Sequence, residues 1–173
     1  MNKTFIGIDN GVSGSVGYIL SDGRYNFKKT PINMTFSHTA DGQKMNRINH
    51  EKLKNMFLSI KSKSENIMCY IERPFTQRTK GKDGKMVRFY KAIISAARAM
   101  ESTIVVLEQL QIPYQSIGSR KWQQEILPGV KGSSNLKAAS LETGKRLFPG
   151  IEKIKHSDYD GILIAEWARR NNL

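Results

Sequence analysis

The chain has 173 residues, 28 of them Lys or Arg against 15 Asp or Glu, for a formal charge of +13. Apolar residues make up 39% and charged residues 25%, a balance that supports one globular domain over residues 1–173 and excludes a disordered tail. No run approaches the roughly 18–20 apolar residues that span a bilayer. Met1-Asn2-Lys3 enters a short apolar run with no longer h-region or cleavage site, so no signal peptide is expected. The single Cys69 can neither staple the fold nor build a Cys-rich zinc site. A cytoplasmic protein with no membrane association and a polyanionic partner is expected, because each neutralised phosphate releases condensed counterions. Charge alone does not separate DNA from RNA or acidic lipid.

Thr4 to Asp9 reads as a buried strand, apolar on both alternating faces. Asn10-Gly11 turns the chain into a second strand, Ser15 to Leu20, and Asp22-Gly23 into a third, Arg24 to Thr30. Pro31 to Asn49 is polar and reads as a loop or irregular excursion. Asn49 is placed to cap a helix from His50 to Ser62, with Leu53, Met56, Phe57 and Ile60 at helical spacing. Asn66 to Glu72 is another buried strand, closed by Arg73-Pro74. Thr76 to Arg88 reads as a Gly- and Lys-rich loop, followed by a long helix from Phe89 to Leu110. A short strand at Pro113–Ile117 and helices at Arg120–Leu127, Ser134–Leu147 and Ser157–Arg170 complete the chain. This order belongs to the α/β class: a five-stranded mixed sheet flanked by helices.

Three places carry acid where a ligand could sit. Asp9 ends the first strand, where the chain leaves the sheet, and strand ends are where open α/β sheets bind ligands; a turn role, bonding nearby amides, is the alternative. Glu72 ends a buried strand, on the face of Met68 and Tyr70, and a carboxylate there needs a partner or a cation. The alternative is a structural ion pair. His156-Ser157-Asp158-Tyr159-Asp160 is the third place. Leu163, Ile164 and Trp167 follow Asp160 at helical spacing, which turns Asp160 toward the sheet. Ser157-x-x-Asp160 also has capping-box spacing, but a cap does not explain the crowding of His156 and Asp158.

Such carboxylates suit hard divalent cations, Mg²⁺ first, with Mn²⁺ fitting the same oxygens. Two ions about 4 Å apart can drive phosphodiester hydrolysis. Asp9 would bridge them, with Glu72 on one ion and Asp160, helped by Asp158 or His156, on the other. The loop after Glu72 brings Arg78, Lys80, Lys82, Lys85 and Arg88, framed by Phe75, Phe89 and Tyr90, which suits phosphates and stacked bases; a solvated charge run is the alternative. Lys121, Lys131 and Lys137 extend the basic surface, while Trp122 and Trp167 read as core residues.

The motifs Ile6-Gly7-Ile8-Asp9-Asn10-Gly11, Tyr70-Ile71-Glu72-Arg73-Pro74-Phe75 and Asp160-Gly161-Ile162-Leu163-Ile164-Ala165, in this order over nearly the whole chain, resemble the RuvC family of Holliday junction resolvases in the ribonuclease H-like superfamily. The short form is similar to resolvases carried by bacteriophages, which would place it in a host cytoplasm. The resemblance implies a homodimer that binds a four-way DNA junction in recombination and repair. It would nick two strands symmetrically and leave 5′-phosphate and 3′-hydroxyl ends. Asp9, Glu72 and Asp160 match family carboxylates. The position three before the last one, acidic or histidine in the family, is Ser157 here, so His156 or Asp158 must substitute, or the register of the resemblance slips by a residue or two. Phe75 falls where the family places an aromatic wedge, and Lys137 near a lysine at the scissile phosphate.

Gly7-Ile8-Asp9-x-Gly11-x-x-Gly14 also resembles the first phosphate loop of actin-like phosphotransferases, but the second domain and second loop they need are missing from this sequence. A nuclease acting on RNA–DNA hybrids shares the chemistry. A non-catalytic nucleic-acid-binding module would not need Asp9 or Glu72.

Overall fold

The computed structural model describes residues 3–36, 42–74 and 87–173, without the side chains of residues 87–91 and 152. Three consecutive strands open the chain: β1 (Thr4–Asp9), β2 (Ser15–Ile19) and β3 (Tyr25–Lys29). A separate ribbon follows, β4 (Ile32–Phe36) with β5 (Lys44–Ile48), then helix α1 (His50–Lys61) and strand β6 (Ile67–Glu72). The long helix α2 (Val87–Gln109) leads to β7 (Tyr114–Ile117), α3 (Ser119–Ile126) and α4 (Ser133–Leu147). A 3₁₀ turn at Ile151–Lys153 precedes the last helix, α5 (Asp160–Arg170).

The main sheet has the order β3-β2-β1-β6-β7. β1 runs antiparallel to β2 and parallel to β6, and β6 parallel to β7, so the expected five-stranded mixed sheet is present. Both faces of β1 are covered, as its continuous apolar run requires. Phe5 joins Tyr70, Trp122, Trp167 and Ile162 on one side. Ile6 and Ile8 join Leu53, Phe57, Ile71 and Leu107 on the other.

α5 lies directly on β1 and β2 because two glycines make room for it. Gly7 and Gly17 are register partners. A Cβ on Gly7 would come within 2.2 Å of the Gly161 carbonyl oxygen, and one on Gly17 within 2.3 Å of the Ile162 Cα. Backbone-to-sheet contact of this closeness is open only to glycine. It brings the N-terminus of α5 to the end of β1.

The Asn49 cap forms as expected, its side-chain oxygen accepting the Lys52 N–H at 2.9 Å. Three expectations need correction. Pro31 to Asn49 holds an antiparallel ribbon, Phe36 pairing with Lys44 and Ile32 with Ile48; Ile32, Met34 and Phe36 alternate inside a polar stretch whose average hides them. The last helix begins at Asp160, three residues later than expected. The capping box does not form there, because the Ser157 hydroxyl donates to Asp158 instead. α2 extends back to Val87, so Arg88 stands on the helix.

Candidate active site

Asp9 and Glu72 are the last residues of neighbouring parallel strands. Ile8 pairs with Ile71, so the two acids leave the sheet side by side, on the face that α5 covers. Glu72 Oε2 accepts the Trp122 indole N–H at 2.7 Å. Trp122 is a core residue, as expected, and also holds the Glu72 carboxylate, which sequence reasoning missed.

Asp160 is the first residue of α5, and its Oδ1 accepts the hydroxyl of Ser140 on α4. The same hydroxyl oxygen accepts the Tyr159 N–H at 3.0 Å. Ser15, at the start of β2, accepts the Gly161 N–H at 3.1 Å. An orphan donor of the first helical turn is thus satisfied from the sheet. Ser140 and Ser15 were also missed. Their partners lie 20 and 146 residues away in sequence, beyond any local signal.

The carboxyls share one field. Asp9 is held well above the ordinary carboxylate range, first by burial, then by the charges of Asp160, Glu72 and Asp158, with Lys137 opposing them. Asp160 is pushed up to about 7, by burial first and then by Asp158, against the Ser140 hydroxyl and Lys137; Glu72 adds to the rise. Glu72 is raised by burial, opposed by the Trp122 hydrogen bond and helped by Asp158. Desolvation and like charge both disfavour the ionised form.

His156 and Asp158 part ways. His156 Nε2 lies 3.1 Å from the Ser13 carbonyl oxygen and 3.2 Å from that of Gly14. Its Nδ1 lies 2.8 Å from the Asp158 carbonyl oxygen and 3.4 Å from Asp158 Oδ1. Both nitrogens are therefore taken up by neighbouring oxygens, and the ring ties the turn after β1 to the segment before α5. Asp158 is buried, with Oδ2 accepting the Ser157 hydroxyl at 2.8 Å. Its Oδ1 is buried without a hydrogen-bond donor, and a buried acceptor left over in this way suits a cation or water.

Among the described residues no three His, Cys, Asp or Glu side chains are grouped closely enough to hold a metal ion as they stand. The acids sense one another's charge at wider spacing, as mutually repelling carboxyls should. The donor set is nonetheless all oxygen and acidic, with Asp158 buried and Asp9, Glu72 and Asp160 partly so, and it includes the orphaned Asp158 Oδ1; this chemistry fits Mg²⁺ or Mn²⁺.

Lys137 reaches the site through its charge on Asp9 and Asp160. Lys131 lines a cleft of about 780 Å³ that adjoins Glu72, together with Arg120, Gln123, Gln124 and Ser133. Arg120, Gln123 and Gln124 fall on one face of α3, opposite buried Trp122 and Ile126, a helical periodicity legible in the sequence. Lys121 lies 5.3 Å from the centre of the Trp167 ring. Phe75, Arg78, Lys80, Lys82 and Lys85 lie outside the described residues, as does the side chain of Arg88. No helix among the described residues is long and apolar enough to cross a membrane.

No family model matches the sequence, and no curated protein matches it. Among solved structures the chain is similar to Thermus thermophilus RuvC, with a TM-score of 0.51 and 13% identity over 98% of this chain and 96% of that one. It is similar also to T. thermophilus RuvC in complex with Holliday junction substrate, with a TM-score of 0.50 and 11% identity over the same shares. The fold is thus RuvC-like, within the ribonuclease H-like architecture. The likeness is to RuvC itself and says nothing of a bacteriophage form.

Proposed function

We propose that the chain is a metal-dependent endodeoxyribonuclease that resolves Holliday junctions and related branched DNA in recombination and repair. It would make paired nicks that leave 5′-phosphate and 3′-hydroxyl ends. The observation that carries this reading is the placement of Asp9, partly withdrawn from solvent, in the field of Asp160, Glu72 and Asp158 inside a protein of charge +13. Negative charge gathers where a metal would sit, and positive charge predominates elsewhere. The RuvC-like fold supports the reading, and one neighbour of that fold is bound to a Holliday junction substrate.

Asp9, Glu72, Asp158 and Asp160 would hold Mg²⁺ or Mn²⁺, two ions per site, with Asp158 rather than His156 as the fourth ligand because the His156 nitrogens face other oxygens. When bound, such ions supply an activated water and stabilise the leaving oxygen. Trp122 and Ser140 each occupy one carboxyl oxygen, of Glu72 and Asp160, and so fix how the acids are presented. Lys137 places a cation where a phosphate would arrive, and Lys131 and Arg120 line the adjoining cleft. The basic residues Arg78, Lys80, Lys82, Lys85 and Arg88, with Phe75, would grip the junction arms.

A homodimer would give the two sites that symmetric nicking needs. α2 offers a surface for it, with Ile94 and Val105 partly exposed. The reading places the protein in the cytoplasm.

The test compares a labelled four-way junction, a fork, a linear duplex and an RNA–DNA hybrid, each with Mg²⁺ and with EDTA. Paired metal-dependent nicks near the branch are expected. Cutting of the hybrid alone would keep the site and replace the substrate, and binding with no metal-dependent cut would leave a binding module.

A further inference from the structure

The β4–β5 ribbon stands outside the main sheet, and the active-site reading makes no use of it. It nevertheless starts at the active-site end of the fold. Lys29, at the end of β3, pairs with Ser15, and the Thr30 N–H donates to the Gly14 carbonyl at 3.0 Å, in the turn that follows Asp9. Its base is closed by the Asn49 N–H on the Pro31 carbonyl at 2.9 Å and by Asn49 on Asn33 at 2.8 Å. A hollow of about 240 Å³ separates it from α2, lined by Val12 of the same turn, by Asn46 and Ile48, and by Arg98.

Ile32, Met34 and Phe36 alternate along β4 and so share one face. They are exposed by 38%, 68% and 65%. No other large apolar side chain among the described residues is more than 42% exposed, so apolar exposure peaks at this one place. Such a patch marks a contact surface. Phe36 sits directly across from exposed Lys44. Residues 25–48 carry Lys28, Lys29, Lys44 and Arg47 against a single acid, Asp41. A second copy of the chain is a poor occupant, since an isologous contact would set this cationic ribbon against itself. A polyanion with open base faces complements both the charge and the apolar row.

We propose that the β4–β5 ribbon is a second nucleic-acid contact, in which Phe36 and Met34 stack on unpaired or unstacked bases at the branch of the DNA while Lys44, Lys28 and Lys29 meet its phosphates. Flat aromatic and thioether surfaces take any base, because every base has a π-face, and the cations hold the backbone. The ribbon therefore favours branched over fully stacked duplex DNA without reading sequence. This inference rests on the branched-DNA reading of the active site.

The test uses the full chain in EDTA, so that binding is read without cutting. It follows the anisotropy of a four-way junction and of a linear duplex, and the emission of 2-aminopurine placed at the branch point. Parent, Met34→Ala/Phe36→Ala, Phe36→Trp and Lys44→Ala proteins are compared. Both truncated side chains are exposed, and equal thermal melting confirms equal folding. The double alanine variant should lose about tenfold or more in junction affinity and the 2-aminopurine response, with duplex affinity within about twofold of the parent. Phe36→Trp should retain both, and Lys44→Ala should lower the salt slope by about one. Parent-like junction binding by the double variant overturns the proposal. So does a fall from dimer to monomer in light scattering, which would make the ribbon a contact between copies. If the parent cuts junctions while the double variant still binds as the parent does, the ribbon alone fails; a parent that neither binds nor cuts them removes the active-site reading as well.

Discussion

The indole N–H of Trp122 donates to Glu72 Oε2 at 2.7 Å, joining a buried aromatic of α3 to the acid at the end of β6. The bond restrains Glu72 and lowers its proton affinity against the effect of burial. Trp122→Phe keeps most of the packing and removes the donor. Losing such an outer-sphere partner typically costs about 10–100-fold in metal affinity or activity. Titrating Mg²⁺ in a cleavage assay should show the half-saturating concentration rising in the variant, and an unchanged curve would deny Trp122 this role.

Gly7 and Gly17 test how the site is assembled. Gly17→Ala sets a methyl within 2.3 Å of the Ile162 Cα, so α5 must move off the sheet and take Asp160 with it. Overpacking of this kind costs about 1–3 kcal/mol. Gly23→Ala is the comparison, since nothing lies within 4 Å of its added methyl; its φ of +87° leaves only a backbone penalty, about 1–2 kcal/mol. Urea denaturation should rank Gly17→Ala as the more damaging, with cleavage lost in that variant and kept in Gly23→Ala.

Proton linkage gives a prediction with a definite sign. Asp160 titrates near 7 in the fold and near the ordinary value of about 4 when unfolded. The folded chain therefore binds this proton more tightly between those limits. In metal-free protein this contribution to stability is complete below about pH 4 and is lost as pH rises through 7. Asp160→Asn removes the titration, so the gap in melting temperature between parent and variant should shift against the parent from pH 4 to pH 8. A gap that moves in the parent's favour over that range would contradict the assigned environment. Mg²⁺ added at pH 8 should raise the parent's melting temperature more than the variant's, because a ligand stabilises the state that binds it.

The central strands and their acids are legible in the sequence because β1 and β6 are apolar on both faces and each ends in a carboxylate, a costly place for a charge that binds nothing. The turn of Asp160 toward the sheet can likewise be read from Leu163, Ile164 and Trp167. Sequence alone keeps Asp158 and His156 as alternatives, since which one points inward depends on where α5 begins, and helix starts are the least legible feature of a sequence. Ser157 has the spacing of a cap, but its hydroxyl goes to Asp158 while Ser15 serves the helix from the sheet. Contacts between residues so distant in the chain leave no local trace. The ribbon is hidden for another reason: its three apolar residues alternate within a polar segment, so composition outweighs period.

Asp9→Asn addresses the whole scheme most directly. Asp9 is the acid whose proton affinity responds to Asp160, Glu72 and Asp158 together, whereas DNA binding would rest on the 28 Lys and Arg side chains, which the substitution leaves in place. Junction binding in EDTA and junction cleavage in Mg²⁺ should be measured side by side for parent and variant, with equal melting as the control for folding. Cleavage should fall by at least about a hundredfold while binding stays within a few-fold of the parent. Cleavage that survives the substitution would contradict a metal site built on Asp9, and junction binding lost along with it in a folded protein would contradict the division between acidic centre and basic surface.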